Sequence, residues 1–271
     1  MNCRQFGYDR TMMEYRRPEI PVVTFRDASG AVIKYGSRWR DRPGGSAPEE
    51  SYSVVSHPER FAPLHAAADA LIAYLAGRYD VAVDEDIGIA TGLYRPPHDV
   101  ARAVRIEPAN DDGAPLVFVF TSFPGVRLYA GVLHEFPFPD CGCDACDETV
   151  EAAADEMEEI VFAVSEGRFQ ESCEEGDDIE QPRPRGRWTA APPDAAKAPS
   201  RSTPMPGPKA GLEIVARDGS LLRGGHHMAS GHPREQWLAA RAKLGELDHG
   251  WRPWRTRRST TGPSSPDARR A

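Results

Sequence analysis

Long apolar runs, a disulfide framework and the common catalytic signatures are all missing from this chain of 271 residues. No stretch approaches the roughly 20 apolar residues that a spanning helix needs, and Met1–Arg17 is too polar and arginine-rich for a secretory signal. A soluble cytoplasmic protein without membrane contact is the expectation. There is no Gly-x-Gly-x-x-Gly unit, P-loop, His-Glu-x-x-His or Gly-x-Ser-x-Gly elbow. That absence removes the usual dinucleotide, nucleotide-triphosphate, zinc-protease and hydrolase readings and leans against an enzyme. Internal repeats are missing too. Cysteine is scarce, five in number, and three of the five crowd into Cys141, Cys143 and Cys146. An odd, clustered set is no secreted disulfide framework; in a reducing cytosol it points to metal or redox chemistry.

What is present is polarised. Residues 1–180 carry 16 basic and 34 acidic side chains, whereas residues 181–271 carry 17 and 7. An acidic body repels nucleic acid, so only the C-terminal part has an electrostatic footprint for phosphates. Attraction between the two halves explains the same division. With 24 Gly, 25 Pro and a mean hydropathy of −0.53, a globular region diluted by irregular chain is expected.

Pro21–Tyr35 holds two β-rich runs around a Gly-containing turn, which predicts a hairpin. From Ser56, with Pro58 and Glu59 behind it, the signals are those of a capped helix. Phe61, Leu64, Ala68, Leu71, Ile72 and Leu75 recur at helical spacing to about Tyr79. Val81–Val83, Val100–Glu107, Leu116–Phe123 and Val126–Val132 read as strands with links too short for crossover helices, hence an antiparallel meander. Leu116–Phe123 is apolar on both faces, as suits a strand near the middle of a sheet covered on each side. A second helix begins near Asp147, buries Val150, Ala154, Met157, Ile160, Val161 and Val164, and ends at Gly167.

The fold class is therefore α+β, an antiparallel meander sheet packed with two main helices and followed by a disordered C-terminal extension. The predicted divisions are an N-terminal extension (1–19), the α+β domain (20–172), an acidic then proline-rich linker (173–210) and a basic, mostly disordered extension (211–271). Within that extension Leu212–Leu222 suits a small hairpin around Arg217-Asp218-Gly219, and Pro233–Leu247 a short helix with Trp237, Leu244 and Leu247 on one side.

Chemistry concentrates at Cys141-Gly142-Cys143-Asp144-Ala145-Cys146-Asp147-Glu148. Three sulfurs within six residues can converge on one Zn²⁺, with Gly142 allowing the tight turn. A fourth ligand would come from His134 at the strand end, then Asp144 or Asp147, or the distant Cys173. The competing redox reading makes Cys143 and Cys146 a Cys-x-x-Cys pair at a helix N-terminus, although Asp140, Asp144, Asp147 and Glu148 disfavour a thiolate there. Reduced packing cysteines are a third reading.

Weaker candidates are ordinary surface features first and sites second. His65 and Asp69 lie one turn apart; Arg95-Pro96-Pro97-His98-Asp99 is a rigid loop; Arg102, Arg105 and Arg127 could line one sheet face for an anion. His226, His227 and His232 could grasp a metal. Trp251-Arg252-Pro253-Trp254-Arg255 with Arg257 and Arg258 suits single-stranded nucleic acid, or docking on the chain's own Glu171–Glu180 run.

Tyr52–His65, Phe118–Gly125 and Phe136-Pro137-Phe138-Pro139-Asp140 leading into the cysteines resemble a family of uncharacterised proteins from GC-rich bacteria, known only as a domain of unknown function. The likeness covers about Val22 to Glu171, with the cysteine block its most distinctive part, and implies no activity or catalytic residue. The functional expectation is a non-enzymatic cytoplasmic interaction module for a protein partner, with a structural Zn²⁺ on Cys141, Cys143, Cys146 and His134. A small thiol–disulfide oxidoreductase and a nucleic-acid binder are the alternatives.

Overall fold

The computed structural model describes residues 14–174, 208–228 and 231–257. Most of the expected linker, residues 175–207, and the last residues, 258–271, lie outside the described residues. So do residues 1–13 of the N-terminal extension.

The centre is a five-stranded antiparallel meander of β1 (Val81–Glu85), β2 (Val100–Pro108), β3 (Leu116–Thr121), β4 (Val126–Ala130) and β5 (His134–Phe138), neighbours in sequence pairing in space. Strand β3 is the middle strand and every residue in it is buried, as its unbroken apolar run predicts. One face, built from Val104, Ile106, Leu116, Phe118, Phe120, Val126, Leu128, Phe136 and Phe138, packs with helices α1 (Pro63–Arg78) and α2 (Val150–Ser165) into the main core. The opposite face carries Ala103, Val117, Val119 and Tyr129 under a lid of Ile89, Ala90, Leu93 and Tyr94. The period of two along each strand sends alternate residues to the two cores.

Local details depart from expectation where proline or turn chemistry decides. Helix α1 starts at Pro63; Pro58–Phe61 forms only a 3-10 turn, and Ser56 binds Asp144 in place of capping. Each proline lacks an N–H and fits best in a first turn, so the second proline restarts the helix. The Pro21–Tyr35 hairpin shrinks to one bridge, Arg26 to Val32, closed by Asp27 accepting from the Ser29 and Ala31 amides. Strand β5 escapes a propensity reading because it contains Pro137, which an edge strand tolerates. Thr149 caps α2, its hydroxyl accepting from the Ala152 amide at 3.1 Å, and Gly167 closes the helix at φ 72°.

The larger correction concerns the C-terminal part. Residues 211–271 are expected to be mostly disordered, and residues 173–210 to be an acidic then proline-rich linker. Instead β6 (Phe169–Glu174), β7 (Lys209–Val215) and β8 (Leu221–Met228) form a second antiparallel sheet, followed by α3 (Arg234–Gly245). Residues 251–257 then run as a strap back over the first domain. Trp251 and Trp254 are 1% and 3% exposed and belong to the main core. The strap is held by non-local backbone bonds: Arg252 N to Asp112 O, Trp254 N to Ser165 O, Asp80 N to Arg255 O and Arg257 N to Arg78 O. No periodicity announces such a segment, because its partners lie about 80 to 180 residues away and only Trp251 and Trp254 are large and apolar.

The charge division acts as attraction between halves. Glu166 receives Arg217 from beyond β7 at 2.5 Å as well as Arg168 at 2.9 Å, and Glu156 receives Arg223 from β8. Burial raises the Glu166 carboxyl, but the two guanidinium groups outweigh it and hold the group below the usual carboxylate range.

Two outcomes follow. Trp251→Ala should cost about 3–5 kcal/mol, the range for emptying a large buried aromatic site, read as a lower urea midpoint of the full chain. A depressed carboxyl stabilises above its unfolded value of about 4.3 and loses that contribution as pH falls through its lower folded value. Denaturation midpoints should therefore drop between pH 5 and pH 3 by less in Glu166→Gln than in the wild type.

Candidate metal centre

The cysteines sit in the loop between β5 and α2. Their Sγ atoms lie within 4.8 Å of one another, with Cys141 to Cys143 at 3.2 Å. A tetrahedral zinc with bonds of about 2.3 Å sets sulfurs about 3.8 Å apart, so a small adjustment brings these three onto one ion. Burial opposes a charge on Cys143, but the amides of Cys146 and Ala145 and the thiols of Cys141 and Cys146 outweigh it and hold this thiol below its ordinary value. The thiols of Cys141 and Cys143, with burial, push Cys146 up to about 12. Between Cys143 and Cys146, the surroundings thus favour a thiolate on Cys143.

The loop is shaped by two carboxylates. Asp144 is buried and accepts from the Ser56 amide at 3.1 Å and the Ser56 hydroxyl, with Arg38 Nη1 at 3.1 Å. Glu148 accepts from the amides of Asp140 and Cys141 at 3.1 and 3.0 Å, closing the turn from the helix side. Asp147 adopts φ 52° and accepts from the Arg38 amide at 2.8 Å. The N-terminal segment clamps the outside: Trp39 Nε1 donates to Asp144 O, Arg60 Nη2 to Gly142 O, and the amides of Asp144 and Ala145 donate to Val54 O and Ser51 O. Gly142 matters for space, since a Cβ there would stand 2.7 Å from the Phe123 ring; the left-handed turn falls at Asp147.

His134 is not brought to the sulfurs. It opens β5, while the cysteines follow the far end of that strand, about 13 Å along at 3.3 Å per residue. Its Nδ1 lies 2.7 Å from Glu171 Oε1. Asp144 spends both oxygens on Ser56 and Arg38, Asp147 gives Oδ2 to the Arg38 amide and keeps a buried Oδ1 that does not join the three sulfurs, and Cys173 lies in β6 of the second sheet. The sulfur trio is therefore the whole of the sequence-expected ligand set that the fold assembles. Nor does the redox premise hold, because Cys143 and Cys146 precede Val150, the first residue of α2, by seven and four positions and lie off the helix terminus.

The remaining candidates separate. His65 Nε2 is 2.9 Å from Gly125 O and Asp69 pairs with Arg102, so these two do not meet as a pair. Arg102 lies over Phe120 on the α1 side, whereas Arg105 and Arg127 lie opposite Val117 and Val119 on the other face, so the three arginines do not share one face. Asp99 accepts from the Phe123 amide. The Trp251 and Trp254 indoles donate to Glu171 and Ala114 O inside the core, which removes them as stacking platforms for nucleic acid and realises the self-docking alternative at Glu171. Desolvation, then His134 and His232, hold His227 below the ordinary imidazole value. Arg38, Trp39, Ser56 and Arg60 are the site-forming residues that sequence reading missed, and their only signal was polar residues in a segment without apolar period.

No helix among the described residues is long and apolar enough to cross a membrane. Asp144→Ala should cost about 1–3 kcal/mol, because it removes the acceptor of the Ser56 amide and hydroxyl and the counter-charge of the Arg38 guanidinium. Limited proteolysis should then cut first within residues 37–56.

The model of a family of unknown function, DUF6226, matches residues 21–258 and so takes in the second sheet, α3 and the strap as well as the 22–171 region. No curated protein and no solved structure matches the chain.

Proposed function

The chain belongs to DUF6226, a family of unknown function, and from its own geometry we propose a non-enzymatic interaction module whose Cys141, Cys143 and Cys146 bind a structural Zn²⁺. The convergence of three sulfurs in a clamped loop is the observation that carries this reading. Thiolates suit zinc among the abundant divalent ions, and a reducing cytoplasm keeps them available. The ion would supply a cross-link, holding the β5–α2 loop together with the residues 36–60 that grip it, and its fourth position would be completed by solvent or by an incoming donor.

Support for interaction, as against catalysis, comes from what the clamped segment displays. Tyr52, Val54 and Val55, within the segment that grips the cysteine loop, are large apolar side chains left exposed, as are Val22, Val23 and Val32 before it. Loss of the cross-link would let that surface drift, so metal and partner binding are coupled through order of the segment. The partner in this reading is a protein.

Elemental analysis of the full chain purified without chelator should give one zinc per molecule. Its thiol titration should show Cys141, Cys143 and Cys146 reacting only after chelator is added. Metal-free protein with all three thiols freely titratable refutes the proposal. Cys143→Ser should lose the zinc and lower the thermal midpoint, whereas insulin-reducing activity that this variant abolishes would favour the oxidoreductase alternative.

A further inference from the structure

Residues on both sides of the Arg26–Val32 bridge line a cleft of about 610 Å³ together with the first turns of α1 and α2. Its surface is largely apolar, with Val22, Val23, Phe25 and Ile33 from the N-terminal segment and Pro63 and Val150 from the helices. Val22 and Val23 are exposed outright. A concavity of ordinary ligand-site size that leaves such side chains in water suits an apolar occupant.

Charge selects among apolar occupants. Glu19, Glu59 and Glu151 stand in the lining, and all three are exposed. Glu59 shares its charge with His57 at 2.8 Å, whereas Glu19 and Glu151 form no ion pair among the described residues. The one cation of the described lining, Arg60, is 4% exposed, its Cζ lying 4.2 Å from the ring centroids of both Tyr35 and Phe61. The charge that the cleft offers to solvent is therefore negative. Carboxylates placed there repel an anionic ligand or an anionic lipid surface and attract lysine or arginine.

Hydrogen bonding adds a second requirement. Arg60 donates Nη1 to His57 O and Nη2 to Gly142 O, each at 3.0 Å, but its Nε is buried without a hydrogen-bond partner, and so is Tyr35 Oη. Both atoms can donate, so the group that satisfies them is an acceptor. A backbone carbonyl supplies one without a negative charge for the glutamates to repel. Apolar side chains, cations and carbonyl acceptors occur together in a peptide. From this combination we infer that the cleft is the docking groove for a short basic and apolar segment of a partner protein. Its apolar side chains enter among Val22, Val23, Phe25, Ile33 and Val150, and its lysine or arginine side chains meet Glu19 and Glu151. The inference rests on the interaction reading above for the partner being a protein, and it needs no metal.

The test titrates the full chain, purified without chelator, into a fluorescent octapeptide alternating leucine and lysine, and follows anisotropy. Saturable binding of one peptide per chain is expected. Val22→Ser with Val23→Ser, both exposed positions, should weaken it at least about tenfold, and Glu19→Gln with Glu151→Gln by about three- to tenfold. Asp84→Asn, an exposed acid of β1 outside the cleft, should leave it unchanged. Peptides with glutamate for lysine, or serine for leucine, should bind at least about tenfold more weakly. Absence of saturable binding, equal binding of the glutamate peptide, or equal weakening by Asp84→Asn overturns the inference. So does a concentration-dependent dimer in sedimentation that the valine substitutions dissolve, which would assign the cleft to a second copy. Zinc content and thiol protection, read on the same sample, decide the metal reading separately, so either can fail without the other.

Discussion

A single buried carboxylate holds the two halves of the molecule in register. The Glu171 side chain is fully buried and each of its oxygens accepts two hydrogen bonds: Oε1 from Leu133 N and His134 Nδ1, Oε2 from Val132 N and Trp251 Nε1. A buried charge without partners is prohibitively costly, so this group is tolerable only when the turn before β5, the second sheet and the C-terminal strap all reach it together. Gly131, at φ 63°, lets the chain pass beside the carboxylate, since a Cβ there would overlap Glu171. Glu171 thus makes the fold cooperative.

The other end of β5 repeats the device with Asp144. There the donors come from Ser56 and Arg38, and the result is to bind an irregular N-terminal segment to the cysteine loop. The two acid-centred junctions lie at opposite ends of the same edge strand, one beside three sulfurs and one beside His134.

Much of the framework was legible in the chain. The meander, the buried middle strand, the amphipathic α2 and the small hairpin at 217–219 follow from alternation, short links and turn residues, which act over a few neighbours. So was the sulfur cluster, because its three ligands are close in sequence. His134 was taken as a neighbour of the cysteines at the end of the preceding strand, because the extended residues His134–Phe138 that carry it away from them were not read as a strand. The strap at 251–257 was misread for a related reason: arginine and proline content describes an isolated chain, whereas burial of Trp251 and Trp254 depends on a cavity built by α1, α2 and β6.

The order of strands, the acidic and basic halves and the grouping of Cys141, Cys143 and Cys146 were determined by sequence alone, for they rest on local periodicity, charge and adjacency. Only tertiary structure decided which carboxylate each junction uses, that Glu171 joins β5 to the strap, and that the His134 ring meets that of His227. Those choices depend on side chains dozens of residues apart being desolvated together, and desolvation is a property of the packed molecule.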